Sequence, residues 1–329
     1  MSLRRHALIP AALLPLLLPL AACGSGPEPA EHAGAPAAGF PYTVANCGVR
    51  TTFEAPPKRV VTMNQHVTEI MIELGLTNSL VGTAWLDDAV LPAYEKAYES
   101  VPVVAKEYPS KEKLLSVNPD LVYGGYTSAF AAKDGRTRDD LADAGVDTRL
   151  NLENCPEDGG TSMDDLFREI KEVGRTFGVA GRAGRWTADA RATLATTAAG
   201  LKGVKPVPVF VYDSGDKTAF TAGGAGIGNE LIERAGGRNV FADLDKSFGD
   251  ATWEQVVARR PETIVIYDYG STTVAQKKKR LLEDPVLKDV PAIRNKRFAV
   301  MPLSDAVLGV RAPAAVGRLA DQLHPEAGE

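Results

Sequence analysis

Residues 163–202 read MDDLFREIKEVGRTFGVAGRAGRWTADARATLATTAAGLK, and the fold turns on this stretch. Leu166, Phe167, Ile170, Val173 and Phe177 recur at helical spacing. Ser162 precedes Asp164 and Asp165 as an N-cap with acids in the first turn, and Gly178 supplies a stop. From about Ala180 to Leu201 the chain is rich in Ala and Arg and free of Pro. A helix over that length spans roughly 30 Å, the width of a small domain. Two ordinary surface helices fit this pattern, and so does a strut joining two lobes.

Internal similarity favours the strut. Before it stands KEKLLSVNPDLVY (111–123), and after it TWEQVVARRPETIVIY (252–267). Each is a short amphipathic helix halted at a Pro, then an acid, then an apolar strand opening onto Tyr. Glu112 to Pro119 and Glu254 to Pro261 have equal spacing. Each half also begins with a strand leading to a helix that ends in Gly: Val60–Met63 to Gly75, and Val209–Tyr212 to Gly236. Strands alternate with helices throughout, which predicts parallel sheets covered on both faces. The expected architecture is α/β: two Rossmann-like lobes, residues 40–178 and 203–329, joined by one long helix over 179–202, with a cleft between them.

The 329 residues suffice for two such lobes. A net charge of −5 with mixed signs argues against nucleic acid; the run Lys277-Lys278-Lys279-Arg280 reads as a solvated helix face. At the N-terminus, Arg4 and Arg5 precede an apolar run over Ala7–Leu20, too short to span a bilayer. It ends Leu20-Ala21-Ala22-Cys23-Gly24, similar to the bacterial lipobox. Residues 1–23 are thus expected to be a lipoprotein signal with Cys23 lipidated, the other reading being plain secretion with cleavage near Ala22. Two acyl chains would hold the protein on a membrane. Residues 24–39, rich in Gly, Pro and Ala, read as a flexible tether. Cys47 and Cys155 are the remaining cysteines, and in an exported chain they are expected to pair. Phe40–Phe53 reads as a β-hairpin turning at Asn46–Gly48.

Enzymatic chemistry has little material. Of four His, only His66 lies outside the signal, tether and tail. HExxH, GxSxG and Walker A patterns are missing, and the run Gly223–Gly228 puts Asn229 where a dinucleotide fingerprint needs Gly. Aromatic and polar residues stand instead at strand ends, where open parallel sheets bind ligands. The candidate cleft set is Asn64, His66, Trp85, Tyr126, Tyr212, Phe220, Phe248, Tyr267, Tyr269 and Arg311. Aromatic faces suit bulky organic ligands, and Arg suits anionic oxygens.

Several segments carry a family resemblance: Arg59-Val60-Val61-Thr62, Thr68-Glu69-Ile70 to Gly75-Leu76, Asn118-Pro119-Asp120-Leu121-Val122, and Gly236-Gly237-Arg238-Asn239-Val240-Phe241 ahead of Trp253-Glu254-Gln255-Val256-Val257. From Arg59 to about Leu323 the chain resembles the substrate-binding lipoproteins of ABC importers for ferric siderophores, haem and vitamin B12. The resemblance implies two lobes on a helical linker, hence little lobe movement. It implies a membrane permease as partner, docked through one Glu per lobe, assigned here to Glu69 and Glu233, with Glu73 and Glu230 as neighbours able to substitute. The ligand expected first is a ferric siderophore, its anionic oxygens met by Arg311. The iron stays inside the chelator, with no cofactor and no metal bound directly by the protein. A corrinoid or another large anionic cofactor precursor is the alternative; for haem, His66 or a cleft Tyr would serve as axial ligand. A sensor or adhesion lipoprotein is the alternative of another class. The protein is expected to be a monomer.

Overall fold

The computed structural model describes residues 38–155 and 160–326. The expectations for the signal segment, for Cys23 and for nearly all of the tether lie outside the described residues.

The chain opens with a hairpin of β1 (Tyr42–Asn46) and β2 (Val49–Phe53). Its two turn residues, Cys47 and Gly48, both have positive φ, at 48° and 79°, as a tight twisted turn requires. The first lobe follows: β3 (Val60–Met63), α1 (Gln65–Glu73), β4 (Leu80–Ala84), α2 (Pro92–Glu99), β5 (Val103–Ala105), α3 (Lys111–Leu115), β6 (Leu121–Gly124), α4 (Arg138–Ala142) and β7 (Asp147–Leu150). The five strands β3 to β7 form one parallel sheet in the order β5-β4-β3-β6-β7.

Helix α5 (Met163–Thr176) then leads into α6 (Ala180–Gly200). Ser162 and Asp165 form a reciprocal capping box at the start of α5. The second lobe contains β8 (Val207–Tyr212), β9 (Ala219–Ala222), α7 (Ile227–Arg234), β10 (Gly237–Asn239), β11 (Phe248–Ala251), α8 (Trp253–Arg259), β12 (Thr263–Asp268), α9 (Val274–Glu283), α10 (Pro291–Arg294), β13 (Phe298–Pro302) and α11 (Ala312–Leu323). Its main sheet is parallel, ordered β10-β8-β12-β13. The stretch Phe220–Gly224, whose paired glycines imitate a turn, contains most of β9. It pairs antiparallel with β11, Phe220 opposite Asp250.

Helix α6 packs on α5 of the first lobe and on α7 and α11 of the second. Its buried Ala183, Ala190 and Leu194 belong to one apolar core containing Val67, Ile70 and Leu121 from the first lobe and Val209, Val211 and Leu231 from the second. Outer-face cores complete each lobe, one around Met63 and Leu114, the other around Phe210 and Trp253. Cys47 and Cys155 form a disulfide that ties the β1–β2 turn to the loop after β7. Closing a loop of this length is worth about 4–5 kcal/mol in the chain-entropy account.

Candidate functional site

The carboxyl ends of the strands in both sheets face a cleft between the lobes. On the first lobe, Asn64 follows β3 with φ 92° and is fully buried. Its N–H donates to the Ala84 carbonyl at 2.9 Å. Its side-chain amide donates to the Asp87 carboxylate at 3.2 Å and accepts from the Tyr108 hydroxyl at 2.9 Å. The Tyr108 ring stacks on Trp85 at 4.5 Å between centroids, and Trp85 itself has φ 56°. Two non-glycine residues with positive φ at neighbouring strand ends store strain of the kind that gathers at binding sites. Beside Trp85 and Tyr108 lies a cavity of about 430 Å³ that also touches Ser128 and Ala131. Burial pushes the Asp87 carboxyl up to about 6, against the pull of hydrogen bonds from the Gln65 N–H and Asn64.

On the second lobe the β9–β11 pairing brings Phe220 and Phe248 together as a stack at 5.8 Å. Phe248 meets the edge of Tyr267 at 6.4 Å. The Tyr269 hydroxyl donates to Asp213 at 2.5 Å. Lys277 donates to the Tyr267 carbonyl at 2.6 Å and lies 4.9 Å from the Tyr269 ring centre. Burial raises Asp213 above the usual carboxylate range. Tyr126 packs edge-on to His66 at 5.1 Å. Burial, with the charges of Asp87 and Glu153 adding to it, holds its phenol well above the ordinary value.

The cleft floor is polar and satisfied from both lobes. Arg311, just before α11, donates through Nε to Glu69 at 2.7 Å, through Nη2 to the same carboxylate, and to the Ala89 carbonyl at 2.9 Å. Gln65 adds a bond to Glu69 at 3.0 Å. The Asp88 carboxylate accepts from the Ser304 N–H at 3.2 Å. Asn151 donates to the Leu308 carbonyl at 3.0 Å, and Glu153 accepts from the N–H groups of Leu308 at 2.7 Å and Ile227 at 3.1 Å.

This arrangement corrects several expectations. Arg311 is 4 % exposed and neutralised by Glu69, so it is not held out to an anionic ligand. Glu69 is 1 % exposed for the same reason and presents no carboxylate to a permease in this conformation. Tyr212 is 3 % exposed: its ring packs against Phe210 and Trp253 on the outer face of the second sheet, turned away from the cleft. Tyr267 is also buried, its hydroxyl close against Gly228. Asn64 and His66 lie beneath the surface as supports. Trp85, Tyr126, Phe220, Phe248 and Tyr269 remain half-buried and line the rim.

Sequence reasoning passed over Tyr108, Asp87 and Glu153. Nor were Glu112 and Glu254 among the candidates, although their equal spacing from a Pro was already in hand. Both are exposed, in the first turns of α3 and α8. Each of these helices leads into a parallel strand whose far end reaches the cleft, so its first turn starts on the cleft side. Glu233 is exposed too, but it sits in the last turn of α7, whose first turn is the one at the cleft.

Among the described residues there is no group of three His, Cys, Asp or Glu side chains able to hold a metal, and no helix long and apolar enough to cross a membrane. A larger cavity, about 610 Å³, lies at the opposite end of the second sheet by Thr263, Phe298 and His324. It touches none of the strand carboxyl ends described above.

Residues 60–304 match the family model described as periplasmic binding protein. An uncharacterized ABC transporter substrate-binding lipoprotein of Bacillus subtilis is 26% identical over 333 residues, covering 98% of this chain and 99% of its own. A cobalamin-binding protein of Halobacterium salinarum is 29% identical over 245 residues, 72% of this chain and 62% of its own. The crystal structure described as an ABC-type Fe3+-hydroxamate transport system from Saccharomonospora viridis superposes with a TM-score of 0.73 at 25% identity, covering 86% of this chain and 99% of that one. These relatives are binding proteins of transporters, not enzymes, and two lobes on a helical strut with a half-exposed aromatic rim suit the same task. The chain therefore belongs to the periplasmic binding protein family and is a substrate-binding protein of the ABC-importer type.

Proposed function

We propose that the cleft captures a bulky ligand that is uncharged or cationic, a corrinoid first of all, and delivers it to the importer's permease. The carrying observation is the charge of the rim. Arg311 is occupied by Glu69, while Asp87, only half-buried, stands beside the rim aromatics Trp85 and Tyr108. A corrinoid offers amide donors around a cationic metal–ring centre, which suits carboxylates and aromatic faces. Chelates of high negative charge, such as ferric catecholates, and haem with its propionates meet like charge here. The cobalamin-binding relative supports the corrinoid. The ferric-siderophore expectation narrows to neutral or cationic hydroxamate chelates, and the hydroxamate-transport structure favours that second reading.

For delivery, the exposed repeat-related pair Glu112 and Glu254 is assigned to permease docking in place of Glu69 and Glu233. They sit at matching places in the two lobes, on the cleft side. The chain is taken as a monomer, exported and held by a lipid on Cys23 at the outer face of the cytoplasmic membrane; the lipoprotein relative supports the lipid anchor.

Intrinsic Trp fluorescence titrated with cobinamide, cobalamin, ferrioxamine and a ferric catecholate tests the ligand. Quenching by the corrinoids alone is expected. Quenching by ferrioxamine alone replaces the corrinoid with a hydroxamate chelate, and quenching by the catecholate overturns the charge argument. Glu112→Ala with Glu254→Ala is expected to abolish uptake and leave affinity unchanged; lost affinity would remove the pair from docking.

A further inference from the structure

Beneath the rim, the first lobe grips one residue of the second by both of its backbone groups. Asn151 holds the Leu308 carbonyl, and Glu153 holds the Leu308 N–H. The other Glu153 oxygen takes the Ile227 N–H at the start of α7. His66 fills the space between Gly309 and Gly125. A Cβ on Gly309 would come within 3.1 Å of the His66 Cβ, and one on Gly125 within 2.4 Å of its ring. Both glycines are there to make the slot. The disulfide at Cys155 and the bond from Asn154 to the Gly125 carbonyl fix the loop that carries Asn151 and Glu153.

We propose that Glu153 is the positioning residue of ligand capture: by clamping Leu308 and the first turn of α7 it sets the register of the two lobes, and His66 balances it against changes of pH. That the register matters for capture rests on the cleft being the ligand site. Glu153 is buried, its carboxyl bonded to two backbone N–H groups, and no cationic side chain is among the groups acting on it. The other titratable groups at the clamp are His66 and the phenols of Tyr126 and Tyr267, both of which feel the Glu153 charge, with Asp87 acting on Tyr126. His66 is buried with Nε2 unbonded.

The two groups respond oppositely to pH. Burial raises the Glu153 carboxyl to about 7 from an ordinary 4.5, so the clamped state favours the protonated acid. That contribution is complete below 4.5 and is lost as pH rises to 7. Burial lowers His66 to about 4 from 6.5, so the clamped state favours the neutral ring. That contribution is complete above 6.5 and is lost as pH falls to 4. Across the shared window the slopes oppose, and the clamp is close to level.

Backbone amide exchange at Ile227 and Leu308, corrected for the intrinsic pH dependence and followed from pH 4.5 to 7.5, tests the proposal. A nearly level protection is expected in the parent protein. In Glu153→Gln protection should fall by tenfold or more as pH drops below 6.5, with the amides of β3 and β12 unaffected. In His66→Gln it should fall by a similar factor as pH rises from 4.5 to 7. Corrinoid affinity should tilt in the same directions. Untilted profiles in both variants would overturn the proposal. A uniform drop at one of the two amides in Glu153→Gln is expected, since its side chain offers one acceptor oxygen in place of two; protection unchanged at both amides in that variant would overturn the clamp. Exchange is read without ligand, so a protein that binds no corrinoid tests the clamp all the same.

Discussion

The floor of the cleft and its rim are built from different chemistry. On the floor, Glu69 meets Arg311, Asp88 meets Ser304, and Asn151 and Glu153 meet Leu308: each pair carries a hydrogen bond across to the opposite lobe. At the rim, Trp85 stacks on Tyr108 and Phe220 on Phe248, each pair within its own lobe and half open to solvent. Polar groups that face each other join the lobes, and aromatic groups that do not face each other are left for a ligand. Charge in a binding cleft is thus no guide to the charge of what is bound until its partners are known.

Four measurements bear on that contrast. Removing one partner of the buried floor pair should cost most: Arg311→Ala strands Glu69 without its counter-charge, and a loss of about 3–5 kcal/mol in denaturant unfolding is expected. A loss below about 1 kcal/mol would return Arg311 to the rim. Replacing both Cys47 and Cys155 by Ser frees the loop that carries Asn151 and Glu153, with an expected cost of about 2–5 kcal/mol. An unchanged unfolding midpoint would detach the disulfide from the floor. At the rim, Trp85→Ala should lower ligand affinity by about tenfold or more, while losing only about 0.5–1.5 kcal/mol of stability with the stack on Tyr108. The reverse pattern would make Trp85 a floor residue. The smallest effect concerns pH: Asp87 titrates near 6, so affinity for a cationic ligand should weaken severalfold as pH falls from 7 to 5 and this carboxylate is neutralised. Affinity that rises on acidification would place Asp87 against an anion.

Much of the fold could be read from one chain because its signals are local. Apolar periodicity, Ser162 with Asp165, and the Gly and Pro stops mark helices and strands within a few residues of one another. The β9–β11 pairing escaped because its strands lie some distance apart in sequence, and Gly223 with Gly224 imitates a turn. The Glu69–Arg311 pair joins positions 242 residues apart, and each residue by itself looked ready for a partner outside the chain. Tyr212 was within reach: along β8, Val209 and Val211 share one face while Phe210 and Tyr212 share the other. Following that alternation one residue further would have put its ring in the outer core. Glu112 and Glu254 were within reach as well, since the repeat that revealed the two lobes already matched them.

The apolar core that runs from Ile70 through Ala190 to Val211 belongs to neither lobe alone. A fragment ending before α6 would expose the faces of α1 and α5, and one starting after it would expose those of α7 and α11. Either half would tend to aggregate instead of folding as a free-standing domain. Heat should accordingly melt the molecule in one transition, with calorimetric and van't Hoff enthalpies equal, despite its two-lobed outline.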